Sequence, residues 1–410
     1  VGGLRRGGAA TAALALLLGS LAACSDDTDA PAGAAPTSAP AAAPTSPTGA
    51  TPATTTPPTT TPPTTTRPLR RLSIAASGDI LLHNPVIQSG ARLAGGVGYD
   101  FDPLFDDVRS TLSAADLAIC HQETPISADN SRLTVPGTLS FNAPREIATA
   151  LKNAGFDGCD TASNHMVDRG VTGIAQTLDV LAAAGLANAG MSRDESDAAT
   201  PPIHDVAGVR VGHLAFSYTI VNAGGPNEIV PQDAPWLASV LWPRVGAEGV
   251  LAQARALRAR GAEVVVVSMH WGAQYVHEPT AEQRTLAQAL LAAPEIDLVL
   301  GTHAHVVQPC EKIAGKYVVY GMGNFLSNQS PTQAASLRPD NQDGVIVQVD
   351  LEERTPGVFV TTRLRFTPTW VVIPGHRIER ATPDLHPASF ERTVANFLAD
   401  GPERCDAAPA

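Results

Sequence analysis

"IDLVLGTHAH", residues 296–305, is an apolar run of strand length that stops at a glycine and then sets two histidines one residue apart. Taken alone, His303 and His305 are either two solvated loop residues or two ligands of one metal centre, and an H-x-H pair does not separate these readings. Four further runs of the same build decide between them: "LSIAASGD" (72–79), "DLAICHQE" (116–123), "FDGCDTASNH" (156–165) and "EVVVVSMHWG" (263–272). Each is strand-like and each ends in polar residues. Between them lie "APREIATALKNAG", "GVTGIAQTLDVLAAAG", "GVLAQARALRARG" and "TAEQRTLAQALLAA". Their apolar residues recur at three and four, and glycine closes three of them, so they read as helices. Alternating strands and helices predict βαβ units and a largely parallel sheet.

In open α/β sheets, ligands bind outside the carboxyl ends of the strands. The first run ends in Asp79, the second in Glu123, the third in Asn164 and His165, the fourth in His270 and the fifth in His303 and His305. Each residue has an ordinary explanation of its own. Asp79 follows a glycine and suits a turn, Glu123 suits a solvated loop, Asn164 suits a helix cap, and His270 suits a satisfied core position. Five strand ends that all deliver an oxygen or imidazole donor to one edge point instead to a shared metal centre. Mixed carboxylate, amide and imidazole donors suit manganese, iron or zinc rather than calcium. Six donors exceed a closed tetrahedral zinc site but suit two ions sharing a carboxylate, an arrangement that clamps a phosphoryl group and ionises a water.

The rest of the chain frames this domain. "VRVGHLAFS" is one more strand, and the irregular stretch at 218–245 that follows is long enough to be functional or mobile. Beyond Lys316 the pattern turns to β-hairpin material with little helix, which predicts a second sheet. The net charge of −12 and the lack of any basic block exclude a nucleic-acid binder.

Near the start, Arg5 and Arg6 precede a short apolar run that ends in "LAAC" at Cys24. The run is too short for a membrane span and reads as an export signal. The stretch up to about Pro68 is Ala-, Pro- and Thr-rich, ending in "TTTPPTTTPPTTTRP". It buries nothing apolar and reads as a disordered, semi-stiff stalk. Cys120, Cys159, Cys310 and Cys405 form an even set in an oxidising compartment, open to three pairings. As ends of consecutive strands, Cys120 and Cys159 are the favoured pair, leaving Cys310 with Cys405.

"GDILLH", "ADLAICHQETPI", "GFDGCDTASNHMVDRG", "MHWGAQY", "GTHAHVVQP" and "YGMGNFL" occur in this order. The series resembles the CapA family of capsule and poly-γ-glutamate synthesis proteins, within the calcineurin-like metallophosphoesterase superfamily. "LAAC" likewise resembles a bacterial lipobox, which implies cleavage before Cys24 and its lipidation.

The resemblance implies a four-layer α/β/β/α sandwich with a dinuclear centre, preceded by the disordered stalk. The corresponding segments are a lipoprotein signal at 1–23, a linker at 24–70, the CapA-like domain at 71–375 and a C-terminal tail at 376–410. By position, Asp79 and His305 would bind the first ion, and Asn164, His270 and His303 the second. Glu123 would bridge them, and His165, oriented by Asp168, would be an outer-sphere proton donor. Where the superfamily has D-x-H, this chain has Leu81, so His83 and His121 are the further candidate ligands. The implied setting is the extracytoplasmic face of the membrane, lipid-anchored, with an anionic surface polymer or a membrane synthase complex as partner.

Overall fold

The computed structural model describes residues 68–410; the export signal, Cys24 and the stalk up to Arg67 lie outside the described residues. The first strands are β1 (Arg71–Ile80), β2 (Leu117–Gln122), β3 (Gly158–Asp160) and β4 (Ala187–Ala189). The next six are β5 (Ile203–Val206), β6 (Val209–Ser217), β7 (Val264–His270), β8 (Leu298–Thr302), β9 (Cys310–Ile313) and β10 (Lys316–Val319). The last are β11 (Asn324–Leu326), β12 (Asp343–Thr355), β13 (Val358–Val372) and β14 (Arg377–Arg380). The helices used below are α1 (Asn84–Leu93), α2 (Arg109–Ser113), α3 (Glu146–Ala154), α4 (Gly170–Ala183), then α5 (Trp242–Ala259) and α6 (Ala281–Ala292).

Two sheets result. The first runs β14-β13-β12-β1-β2-β3-β4, and the second runs β5-β6-β7-β8-β10-β9. Strands β1 to β4 are parallel, as are β6, β7, β8 and β10. One core lies between the sheets, with Ile74, Ile119, Val345 and Val347 from the first meeting Val211, Val266 and Leu300 from the second. The outer face of the first sheet packs under α1 to α4 through Val86, Leu112, Ile147, Leu151 and Leu181. The outer face of the second packs under α5 and α6 through Val250, Leu257, Leu286 and Leu290. The order of layers is therefore α/β/β/α.

Local chemistry explains the elements. Strand β7 is VVVVSMH and wholly buried, as a β-branched run between two covered faces should be. Helix α6 opens on a capping box of Thr280 and Gln283, and α3 closes on Gly155 at φ 110°.

Of the hairpin material from Lys316 onward, only β10 joins the second sheet, parallel to β8. β12 pairs antiparallel with β1, from Arg71 opposite Glu352 to Ser77 opposite Ile346, and so extends the first sheet. The second sheet is built from the middle of the chain instead. Strand β1 would otherwise leave a long apolar edge unpaired, and β12 covers it. The segment 376–410 is also structured: β14 pairs with β13, and Cys405 is bridged to Cys310 with Cα atoms 5.7 Å apart. Cys120 is bridged to Cys159 at 4.4 Å, so both expected pairings are present.

Candidate metal centre

The parallel strands of both sheets end at the same place. In the first sheet, Asn324, Asp79, His121 and Asp160 stand in register across β11, β1, β2 and β3. In the second, Ser217, His270 and Thr302 stand in register across β6, β7 and β8. These two rows face a common centre. Glycines permit the approach: a Cβ at Gly78 would lie 2.0 Å from the Gly323 carbonyl oxygen, and one at Gly301 would lie 1.9 Å from that of Tyr320. Beyond β8 the backbone turns through left-handed conformations at His303 (φ 87°) and His305 (φ 54°). Such positions cost histidine on the order of 1–3 kcal/mol each. The His303 amide donates to Asp79 Oδ1 at 3.2 Å, which anchors the turn to the first sheet.

Two groups of ligand atoms converge, Asp79–Glu123–His305 and Asp79–His121–His270. His305 Nδ1 lies 2.8 Å from Asp79 Oδ2, and its Nε2 lies 3.8 Å from Glu123 Oε1. His121 Nε2 lies 4.0 Å from Asp79 Oδ1. His270 Nε2 is 3.0 Å from Asn164 Oδ1, and its ring centroid is 4.5 Å from that of His303. Asp79 is the carboxylate common to both groups, whereas the expected arrangement shared Glu123. All of these residues are buried.

His165 stands beside the groups, with Nδ1 2.9 Å from Asp168 Oδ2 and its ring edge-on to Phe141 at 4.6 Å. Asp168 also accepts from the Phe141 amide at 2.7 Å. Both lie in a turn ahead of α4, which begins only at Gly170. His83 belongs to neither group: its Nδ1 faces the Leu81 carbonyl at 3.2 Å, and its ring packs edge-on against Phe141.

The residues fit a cation. Both carboxylate oxygens of Glu123, His121 Nε2 and His303 Nδ1 are buried without a hydrogen-bond partner. A buried carboxylate without hydrogen bonds costs several kcal/mol, and a bound cation removes that cost. The electrostatics are divided. Burial alone would raise Asp79, but its hydrogen bond and charge pairing with His305 hold it below the usual carboxylate range. Burial, reinforced by the Asp79 charge, pushes Glu123 up. Against burial, Asp160 raises His121 to about 9, and Glu123 and Asp79 raise His305 to about 9. Burial and the neighbouring His305 drive His303 down to about 3, and burial with His303 drives His270 well below its ordinary value.

Two residues of the site were missed in the sequence. Asp160 holds His121 Nδ1 at 2.5 Å, and Asn324 Oδ1 lies 3.1 Å from His305 Nδ1. Asp160 sits inside a run read as strand interior, and its side became defined only through its register with His121. Asn324 lies within "YGMGNFL", which carried the resemblance without a role of its own. Beside His303, a cavity of about 510 Å³ is lined by Tyr218, Asn222, Trp242, Gln274 and Glu282 among others, with no lysine or arginine in its wall among the described residues.

The profile of the family described as bacterial capsule synthesis protein PGA_cap matches residues 73–329. The chain is 27% identical over 262 residues to the PGA biosynthesis protein CapA of Bacillus subtilis, covering 64% of each chain. It is 26% identical over 285 residues to the capsule biosynthesis protein CapA of Bacillus anthracis, covering 69% of this chain and 64% of the relative. The chain thus spans under two thirds of the length of these relatives. Among solved structures, the calcineurin-like phosphoesterase YfkN of Bacillus subtilis is similar with a TM-score of 0.41 and 14% identity, over 80% of this chain and 98% of that one.

Proposed function

The chain belongs to the bacterial capsule synthesis protein family PGA_cap, and from that premise we propose a metal-dependent hydrolase of the metallophosphoesterase type that serves the synthesis or export of an anionic cell-surface polymer. It acts at the extracytoplasmic face of the membrane, anchored by lipid at Cys24, beside a membrane synthase complex, and it cleaves an ester or amide bond. The observation that carries the reading is the set of buried, unpartnered ligand atoms on Glu123, His121 and His303 where two rows of strand ends meet. Asp79, Glu123 and His305 would hold one divalent ion, and Asp79 with His270, His303 and Asn164 a second, of the manganese, iron or zinc type. When bound, such ions supply Lewis acidity to an oxygen-rich substrate group.

The chain's own residues do the rest. Asp168 accepts from His165 Nδ1–H and so supports the imidazolium form, whose Nε2–H would give its proton to a departing oxygen or nitrogen and leave the neutral ring. Phe141 holds Asp168 through its amide and His165 through its ring, so the pair keeps one orientation. Asn324 and Asp79 hold the His305 ring from the Nδ1 side.

A second reading, a surface phosphoesterase of small esters, is favoured by the cavity beside His303, whose wall offers a polyanion no cation. A third, a non-catalytic polymer-binding subunit, retains the ions but turns nothing over. Metal analysis of the purified full chain, with turnover of generic phosphodiesters before and after chelation, tests all three. Chelatable metal with metal-dependent turnover supports hydrolysis. Metal without turnover leaves the binding subunit, and a chain that takes up no divalent ion sinks the metal centre.

A further inference from the structure

Position 81 is where the resemblance calls for a histidine, and the chain has a buried leucine there. Across the sheet the row Asp79–His121–Asp160 offers a replacement. His121 is fully buried, its Nδ1 is 2.5 Å from Asp160 Oδ1, and its Nε2 has no hydrogen-bond partner and lies 4.0 Å from Asp79 Oδ1. An acceptor at Nδ1 fixes which nitrogen carries the ring proton and which presents a lone pair, the usual office of a carboxylate behind a metal-binding histidine.

One register step earlier, Cys120 and Cys159 are paired on the same two strands and bridged. Side chains alternate along a strand, so the bridge lies on the helix-covered face, in the core with Ile147 and Leu151, directly behind the His121–Asp160 pair. Strand β3 is three residues long, too short for its hydrogen bonds alone to fix the spacing of that pair firmly. The covalent link between Cys120 and Cys159 adds a second constraint on the two strands.

We propose that Asp160 and the Cys120–Cys159 bridge are positioning elements that aim His121 Nε2 at the ion beside Asp79 and His270, supplying an imidazole donor that the chain lacks at position 81. The inference rests on the metal-centre reading above.

Manganese(II) titration of the full chain, followed by electron paramagnetic resonance, reads it out independently of turnover. Asp160→Ala is expected to weaken binding roughly 10–100-fold, and Asp160→Asn, which keeps an acceptor without the charge, by less. In a His121→Ala background, Asp160→Ala should cost nothing further, because it acts through that ring. Replacing both Cys120 and Cys159 by alanine should also weaken binding. Replacing both Cys310 and Cys405 should lower the thermal midpoint without moving manganese affinity. Should a bridge variant fail to fold by near-ultraviolet circular dichroism, the Asp160 series with its His121 cycle decides.

Two results overturn the proposal: additive losses from Asp160→Ala and His121→Ala, or wild-type affinity in the Asp160→Ala protein. If wild type binds manganese and Asp79→Ala abolishes it while Asp160→Ala does not change it, only this inference falls. If wild type binds no ion, the metal-centre reading falls with it.

Discussion

His121 and His305 stand on the carboxylate side of the centre, and His270 and His303 on the imidazole side. All four are buried, yet the first pair is raised to about 9, while His303 falls to about 3 and His270 well below its ordinary value. Burial is common to both pairs and lowers every imidazole. The difference comes from partners: Asp160, Asp79 and Glu123 bond or pair with the rings of the first pair, whereas the rings of the second pair contact Asn164, Thr302 and other imidazoles, with Asp79 near but bonded to neither ring. The same side chain at the same depth thus takes opposite charge states, and the neighbouring anion decides which. One side holds protons that a cation must displace. The other presents neutral rings ready to ligate.

The largest break in this comparison is Asp79→Ala. Asp79 belongs to both ligand groups, so under the proposed two-ion assignment both ions should be lost together, with affinity down on the order of 100-fold or more as measured by metal analysis after dialysis. Retention of one full equivalent would show that the two groups do not share that carboxylate.

His165→Ala comes next. It lies on neither side, so metal content should stay at the wild-type level while turnover falls roughly 10²–10⁴-fold. Loss of metal would instead make His165 a member of the imidazole side.

His305→Ala and His303→Ala then separate the halves. The first should empty the site with Asp79 and Glu123, and the second the site with His270 and Asn164, each leaving about one ion by the proposed assignment. Identical losses would erase the distinction.

Changing pH gives an effect of about tenfold per unit for each proton displaced. Because His121 and His305 are raised, the metal-free protein carries both protons at pH 7. Manganese affinity should therefore strengthen as pH rises toward about 9. The sign for stability is the reverse. The contribution of these raised groups to the metal-free fold is complete below the ordinary imidazole value and is lost as pH climbs through about 9. Thermal midpoints with and without metal should diverge over that window, and parallel curves would contradict the assignment. The smallest effect belongs to Thr302→Val, which removes the hydroxyl 3.2 Å from His270 Nδ1. A loss of only a few-fold in metal affinity is expected, because the His270 ring remains packed beside His121 and His303.

Much of this centre was legible in the sequence because its donors follow the strands that carry them. His270 ends β7, and His303 and His305 follow β8 at once, so the apolar runs announce where the imidazoles emerge. What the sequence hid is non-local. Nothing in "DGVIVQVDLE" says that, besides its chain neighbour β13, it pairs with β1, some 270 residues earlier, because the alternation of Val345, Val347 and Val349 with Gln348 and Asp350 marks a buried face but not the strand beside it. Asp160 was hidden for the same reason, since its partner His121 is 39 residues away and reached only through strand register. The cysteine pairing was easier, because consecutive parallel strands place Cys120 and Cys159 side by side.

The pairing of β1 with β12 sets an order in time. Asp79 rides on one of the earliest elements of the described chain, but the partner that closes the far edge of its strand runs from Asp343 to Thr355. A chain emerging from its N-terminus must therefore hold β1 with one side open while nearly all of the second sheet is made. The second sheet can be assembled from contiguous chain in the meantime, because β5 to β10 arise between residues 203 and 319. Half of the centre is thus an early product and the other half a late one. An ion that needs donors from both cannot be held firmly by a partly delivered chain. Its capture marks the arrival of the second sheet's strand ends, His270 to His305, beside those of the first.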